Sequence, residues 1–456
     1  MPVLGGRAPG RAGGRSKKSL TAAFVPRTAH LAAALAAAAK SPSEGLGHLD
    51  ETLEKAARAD LLETLGAAWS AWAEGEKEPG TVCHRTVSVA TCAGRVDVRY
   101  PYAPGKGVGK RVVGKLAGDS APSCPRATPA ARRAAAEAGV RLDSYAEARE
   151  MLESGRGLAM SATGIRAVVK AAAAKTKEAW LAGTLEVARP VVPRAKPPKG
   201  ARHVGRTLGV FADGTGAPCV RSDTEGVAGK DGGEAGTREI KVGAVAEWEY
   251  VDPEGRPILR EGDVWYFATE GPREELQGAL HQLAARRGLG AVRRVQLVGD
   301  GAAWVQKIWE ERFRNSGAIR TLDIFHALEY LHTVVETLAP PGEADAAFKR
   351  FRRRLKLWGG ESTLRGLAET FGGPALATLD GEAGKALAYL RERVGMMDYR
   401  RLRREGYCIG SGLVESACKT LVAARCKLAG MHWRHRNAAA VALLRGTLRS
   451  NFRIAA

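Results

Sequence analysis

The sequence predicts an α/β fold: a mixed sheet with helices on both faces and a helical insertion. A mainly helical region containing a β-hairpin and a helix-turn-helix precedes it. Three observations predict this. Between residues 204 and 330, strand-like and helix-like segments alternate in the order β-β-β-α-β-α-β-α. Residues 331–405 then read as helix, rich in charge (FKRFRRRLKLW). Before a Pro-rich stretch, apolar residues recur at helical spacing, and only residues 85–100 alternate like strands. The 456 residues are 45% apolar, which supports a sizeable core and excludes wholesale disorder.

Residues 1–30 are expected to form a disordered basic arm, because the Gly- and Arg-rich start has almost no large apolar group to bury. Residues 31–188 follow as an N-terminal region. Helical patterning begins near Leu31 and returns through Leu53, Leu61, Leu62 and Leu65. Val87, Val89, Val96 and Val98 alternate around Ala93-Gly94 and predict a hairpin. Residues 101–130 are Gly/Pro-rich and read as loop; GKGVGK at 105–110 lacks the glycine spacing and the Ser or Thr of a phosphate loop. Residues 144–174 read as a helix-turn-helix. Ser144 and Glu147 form a capping-box pattern, Gly155-Arg156-Gly157 breaks the chain, and Ser161 caps a second helix carrying Thr163, Arg166 and Lys170. Residues 189–203 (RPVVPRAKPPKG at 189–200) form a Pro-rich linker.

Beyond it, strands are predicted at Thr207–Ala212, Ile240–Val251, Val264–Thr269, Val295–Val298 and Ile319–Ile324. Helices are predicted at Glu274–Arg287, at 302–314 and after Ile324. Three strands joined without helices, followed by helical crossovers, give a mixed sheet in the element order of the ribonuclease H-like fold. Its first part spans 204–330. A helical insertion (331–405) separates this from a final part (406–456), where Ser411 is expected to cap a helix ending near Gly430.

The formal charge is +21 and unevenly spread. Residues 1–200 carry +13, 201–330 carry −3, 331–390 carry +1 and 391–456 carry +10. Basic flanks around a slightly acidic middle favour a polyanion, and nucleic acid is the expected partner. No apolar run approaches the ~20 residues that cross a bilayer. Leu31–Ala39 is short, closed by Lys40, and makes a poor secretory segment. Seven cysteines without a C-x-x-C pair argue against a disulfide framework and for a reducing cytoplasm. Cys83, His84, Cys92 and Cys124 match no compact zinc module and read better as plain thiols.

Two acids are expected at strand ends, each before a glycine: Asp213 (VFADGTG) and Asp300 (LVGDGAAW). Glu415 lies in the first turn of the helix in GSGLVESACK. Singly, each reads as a turn or helix-start residue. Together, at the carboxyl ends of neighbouring strands, they suggest a ligand set for a pair of divalent cations. Lys419, Arg425 and Lys427 follow on the same segment, where they would hold phosphates by charge, as Arg166 and Lys170 would in the N-terminal region. Trp433 reads more as a helix anchor than as a base-stacking residue.

At these residues the sequence resembles bacterial insertion-sequence transposases of the DDE class, in particular the ISKra4 group. The segments are VFADGTG (210–216), REIKVG (238–243), VQLVGDGAAWVQKIWEERF (295–313), TLDIFHALEYL (321–331) and GSGLVESACKTLVAARCKLAGMHW (410–433), covering about 204–452. The amino-terminal 200 residues match more loosely: RVDVRYPYAPGKGVGK keeps the hairpin of such proteins without paired cysteines. The resemblance implies a ribonuclease H-like core with Asp213, Asp300 and Glu415 as catalytic ligands of two Mg²⁺ (or Mn²⁺) ions, supported by Asp323 and His326. It implies DNA cleavage at the element's terminal repeats and transfer of a 3′-hydroxyl into target DNA. It further implies a homo-oligomer in the synaptic complex and a cytoplasmic, nucleoid-associated bacterial protein. The alternatives are a catalytically silent DNA-binding protein derived from a transposase, and a structure-specific DNA nuclease of the same fold.

Overall fold

Valine alternation between residues 83 and 102 produces a hairpin. Strands β1 (Cys83–Thr91) and β2 (Gly94–Tyr102) pair antiparallel, with Val87 opposite Val98 and Val89 opposite Val96. All four valines are buried. The structure is a computed structural model that describes residues 28–40, 49–117, 125–189, 197, 199–229, 232–259 and 263–455. Most of the expected basic arm, much of the Pro-rich stretch and Cys124 lie outside the described residues. Contacts divide the chain into two units, up to Ala172 and from Ala173 to Ala455, with the division inside helix Ala162–Ala182.

In the first unit, helix Leu49–Glu74 lays Leu62, Leu65, Trp69 and Trp72 against the hairpin, while Leu61 faces solvent. Residues 101–130 are not all loop. Val108–Ala117 is a helix whose Val112 stands one turn after Val108, and both are buried against the hairpin. Glu76 pairs with Lys115 at 2.6 Å, and Arg111 pairs with Glu78 at 2.7 Å. A further helix, Pro129–Arg141, starts at Thr128, whose hydroxyl accepts the Ala131 N–H at 3.2 Å.

Helix Tyr145–Arg156 begins at Ser144, which accepts the Glu147 N–H at 3.0 Å, and ends at Gly157 with φ +63°. Ser161 accepts the Gly164 N–H at the start of Ala162–Ala182. The methyl groups of Ile165 and Val169 stand so near Gly139 that a Cβ there would collide with them. Arg166 and Lys170 lie exposed one turn apart.

The second unit holds a mixed α/β arrangement around a five-stranded sheet of order β5-β4-β3-β6-β7. The strands are β3 (Arg202–Pro218), β4 (Thr237–Val251), β5 (Trp265–Thr269), β6 (Arg294–Gly299) and β7 (Ile319–Leu322). β4 runs antiparallel to β3 and β5; β6 is parallel to β3 and β7. One face carries Leu208, Val210 and Ala212 of β3 into a core with Leu276, Leu280 and Leu283 of helix Arg273–Arg286 and Leu443 of helix His435–Arg449. On the other face, Phe211 and Trp248 line a cavity with Ile324 and Leu413.

The segment expected to be a helix at 302–314 opens as Ala303–Ile308 and widens into a π turn, Trp309–Phe313. β7 is shorter than expected because Asp323 leaves the ladder to cap helix Ile324–Leu338. The insertion is helical: Ala344–Phe371, broken into two helices at Gly359, then Gly373–Ala377, Gly381–Glu392 and Tyr399–Glu405. Phe351, Leu355, Leu387 and Leu390 pack it on Leu328 and Leu331. The chain then returns beside β6, where the buried Gln296 amide bonds both the carbonyl (2.6 Å) and the N–H (3.0 Å) of Cys408. Among the described residues, no helix is long and apolar enough to cross a membrane.

Candidate active site

The parallel register of β3 and β6 ends with Ala212 beside Gly299. The next residue on each strand is a carboxylate, Asp213 and Asp300. The expectation that the first strand stops at Asp213 is corrected: β3 continues to Pro218 because β4 keeps pairing with it, and Asp213 faces Val242 within the ladder. Only the parallel partner ends there, which leaves both carboxylates at the carboxyl end of the β3–β6 pair, where ligands collect in open sheets. A Cβ at Gly214 would fall on the Glu239 carboxylate, the half-exposed end of a side chain that can move aside. Gly301 follows Asp300 with φ +77°, and a Cβ there would lie 2.7 Å from the Tyr389 hydroxyl.

Asp213 is half-buried. Its Oδ1 accepts the Gly214 N–H at 2.7 Å, and the Cys418 thiol donates to its Oδ2 at 3.6 Å. Burial, together with the negative charge of Asp300, pushes its carboxyl above the usual range. The Asp300 side chain accepts the Ala302 N–H at 2.9 Å. Its backbone carbonyl takes a hydrogen bond from Tyr389, and Arg393 donates to the Gly301 carbonyl at 3.0 Å. The insertion thereby holds the Asp300 turn.

Asp323 is almost fully buried and anchors two segments. Oδ1 accepts the Ser411 N–H at 2.8 Å, while Oδ2 accepts the His326 N–H at 3.2 Å and bonds His326 Nδ1 at 2.8 Å. Hydrogen bonding to Asp323, reinforced by the charges of Asp323 and Asp300, raises the His326 imidazole to about 9, so it is a cation at neutral pH. Asp323 itself is held below the usual range, mainly by His326 and the Ser411 N–H acting against burial. Ser411 does not cap with its side chain, contrary to expectation; its backbone N–H is tied to Asp323.

Glu415 is not drawn in as expected. It lies in helix Gly412–Ala417, exposed, and pairs with Lys419 at 2.8 Å. Among the described residues, no three His, Cys, Asp or Glu side chains are grouped closely enough to hold a metal. Asp213 and Asp300 fit a divalent cation as adjacent hard oxygen donors, one of them destabilised by the charge of the other. Glu415 does not join them in this arrangement. It stands three residues before Cys418, which touches Asp213.

The predicted phosphate-binding residues fare differently. Lys427 is exposed and donates to Thr215 at 2.8 Å, two residues beyond Asp213. Lys419 is exposed but occupied by Glu415. Arg425 is buried, with its guanidinium 5.0 Å from the centre of the Trp433 ring, so it braces the fold rather than meeting phosphate. Trp433 bridges to the end of β3: its N–H donates to Pro218 O and its carbonyl accepts from Val220 N, both at 2.9 Å.

Sequence reasoning missed Cys418, Tyr389 and Arg393. Only Cys418 carried a signal, one helical turn from Glu415. Compared with family models and with curated proteins, the chain matches none of them.

Proposed function

We propose that this chain is a DDE-class transposase resembling the ISKra4 group, cutting DNA at the ends of an insertion element and joining the freed 3′-hydroxyl to target DNA. The carrying observation is the placement of Asp213 and Asp300 immediately past the last register pair of two parallel strands. The sheet order β5-β4-β3-β6-β7, with only β4 antiparallel to its neighbours, supports a ribonuclease H-like core.

Bound Mg²⁺ or Mn²⁺, a pair in the full reading, would supply Lewis acidity that activates an attacking water or hydroxyl and stabilises the departing oxygen. Asp213 and Asp300 are the residues that would hold it, with Glu415 as the third carboxylate once released from Lys419. Cys418 holds one oxygen of Asp213. Asp323 fixes the His326 imidazolium, a cation that draws phosphate toward the carboxylates. Lys427 adds a positive charge beside Thr215. The test is a strand-cleavage assay on the DNA ends flanking the gene, with Mg²⁺ or Mn²⁺. Cleavage by the wild type, lost in Asp213→Ala, Asp300→Ala and Glu415→Ala with DNA binding retained, supports the proposal. Full cleavage by any of these variants refutes that residue's role.

One observation favours a second reading. Glu415 pairs with Lys419 on the surface and is not grouped with Asp213 and Asp300, as a catalytically silent DNA-binding protein would tolerate. A wild type that binds these ends and never cuts them with either metal would establish it.

A further inference from the structure

The basic run in the insertion, FKRFRRRLKLW, takes no part in the site described above. It lies in helix Ala344–Phe371. Phe351 and Leu355 turn one face of that helix into the insertion core. Lys349, Arg352, Arg353 and Lys356 follow the spacing i, i+3, i+4, i+7 and fall on the opposite face. The first three are exposed and Lys356 is half-buried. Helix Tyr399–Glu405 packs alongside, permitted by Gly359 (φ +78°), where a Cβ would meet the Met397 carbonyl at 3.0 Å. It brings Arg403 into the same patch.

We propose that this face, Lys349, Arg352, Arg353 and Lys356 with Arg403, is a phosphate-binding surface for nucleic acid. Glu369 meets Arg354 and Asp398 meets Arg401, which leaves Glu329, exposed in the concavity beside Arg352, as the carboxylate facing the patch. None of the five patch cations has an ion-pair partner among the described residues. The Lys356 ammonium is pushed below its usual range by burial and by the charges of Arg352 and Arg403. Five cations facing a single carboxylate, Glu329, leave a net positive surface that costs stability unless a polyanion balances it, and duplex DNA carries one charge per ~1.7 Å of axis.

Phe325 lies at the edge of the patch. That ring is exposed, precedes His326, and lines one concavity with Arg352 and a second with Lys356 and Arg403. The inference stands on charge complementarity and does not require Asp213 and Asp300 to be catalytic.

The experiment uses the full chain and a fluorescein-labelled duplex of about 30 base pairs, with anisotropy read across a KCl series. Lys349→Gln, Arg352→Gln, Arg353→Gln and Lys356→Gln are combined. A second variant removes four exposed cations elsewhere: Arg293, Lys307, Arg312 and Lys385, each to Gln. The patch variant should lose about three to four units from the slope of log K against log[salt] and bind at least roughly tenfold more weakly at 0.1 M KCl. The second variant should keep most of the slope. Equal losses in both, or an unchanged slope in the first, would overturn the proposal. So would weakened binding to poly-glutamate with DNA binding intact, which would assign the face to an acidic protein. Should the combined variant fail to fold, Arg352→Gln and Arg353→Gln singly should each remove about one slope unit. Binding is read on a duplex without the element's ends and without divalent metal, so this result and the cleavage result fail separately.

Discussion

At the residue scale, Asp213 sits where an isolated carboxylate is least comfortable. Burial and the neighbouring Asp300 both disfavour its charge. An acid whose folded pKa is raised subtracts stability when it is ionised. Asp213→Asn should therefore stabilise the metal-free protein at pH 7, by roughly 1–3 °C in Tm. Millimolar Mg²⁺ should raise the wild-type Tm and not that of the variant, a contrast that differential scanning calorimetry reads directly.

His326 runs the other way. Its folded pKa of about 9 lies above its ordinary value, so its ion pair with Asp323 contributes fully below about pH 6.5 and is lost as pH rises through 9. Urea unfolding of wild type and His326→Gln should differ most near pH 6 and converge by about pH 10. A difference that grows with pH would show that the imidazole is neutral. Asp323 has its folded pKa depressed, so its share is present above its ordinary value and fades only in acid.

At the element scale, two contacts hold the site's loops. Gly301 carries φ +77° beside the Tyr389 hydroxyl, so Gly301→Ala adds backbone strain and a collision. It should cost roughly 1–3 kcal/mol and lower cleavage more than DNA binding, because the Asp300 turn moves. Gln296→Leu leaves the Cys408 N–H and carbonyl without their partner and should cost about 2–3 kcal/mol in urea titration.

The same elements show what a sequence makes legible. The β1–β2 hairpin could be read from its valines because strand alternation is local. The five strands were readable in order, but not in extent. Asp213-Gly214 looks like a turn, whereas β4 continues opposite it as far as Thr237. Helix Val108–Ala117 hides in a Gly-rich segment because tertiary burial of two valines overrides weak propensity. Pro129 after Thr128 is a helix-start signal, and the helix begins there.

At the scale of the whole molecule, the placement of Asp213 beside Asp300 followed from strand order alone. The Glu415–Lys419 pair and the burial of Arg425 did not, because side-chain partners on an irregular helix depend on packing that spacing does not encode. The Cys418–Asp213 contact joins residues 205 apart, and Tyr389 reaches Asp300 across 89, distances at which a single sequence is silent. Charge was legible in amount but not in geometry. The run in the insertion becomes a surface only when Arg403 is folded against it.

The most direct measurement is a titration of the protein with Mn²⁺ alone, read by electron paramagnetic resonance, for the wild type, Asp213→Asn and Asp300→Asn. The account predicts saturable binding in the wild type, lost or weakened at least roughly tenfold in each variant, since each removes one of two adjacent charged oxygen donors. Equal Mn²⁺ binding by all three proteins would contradict it.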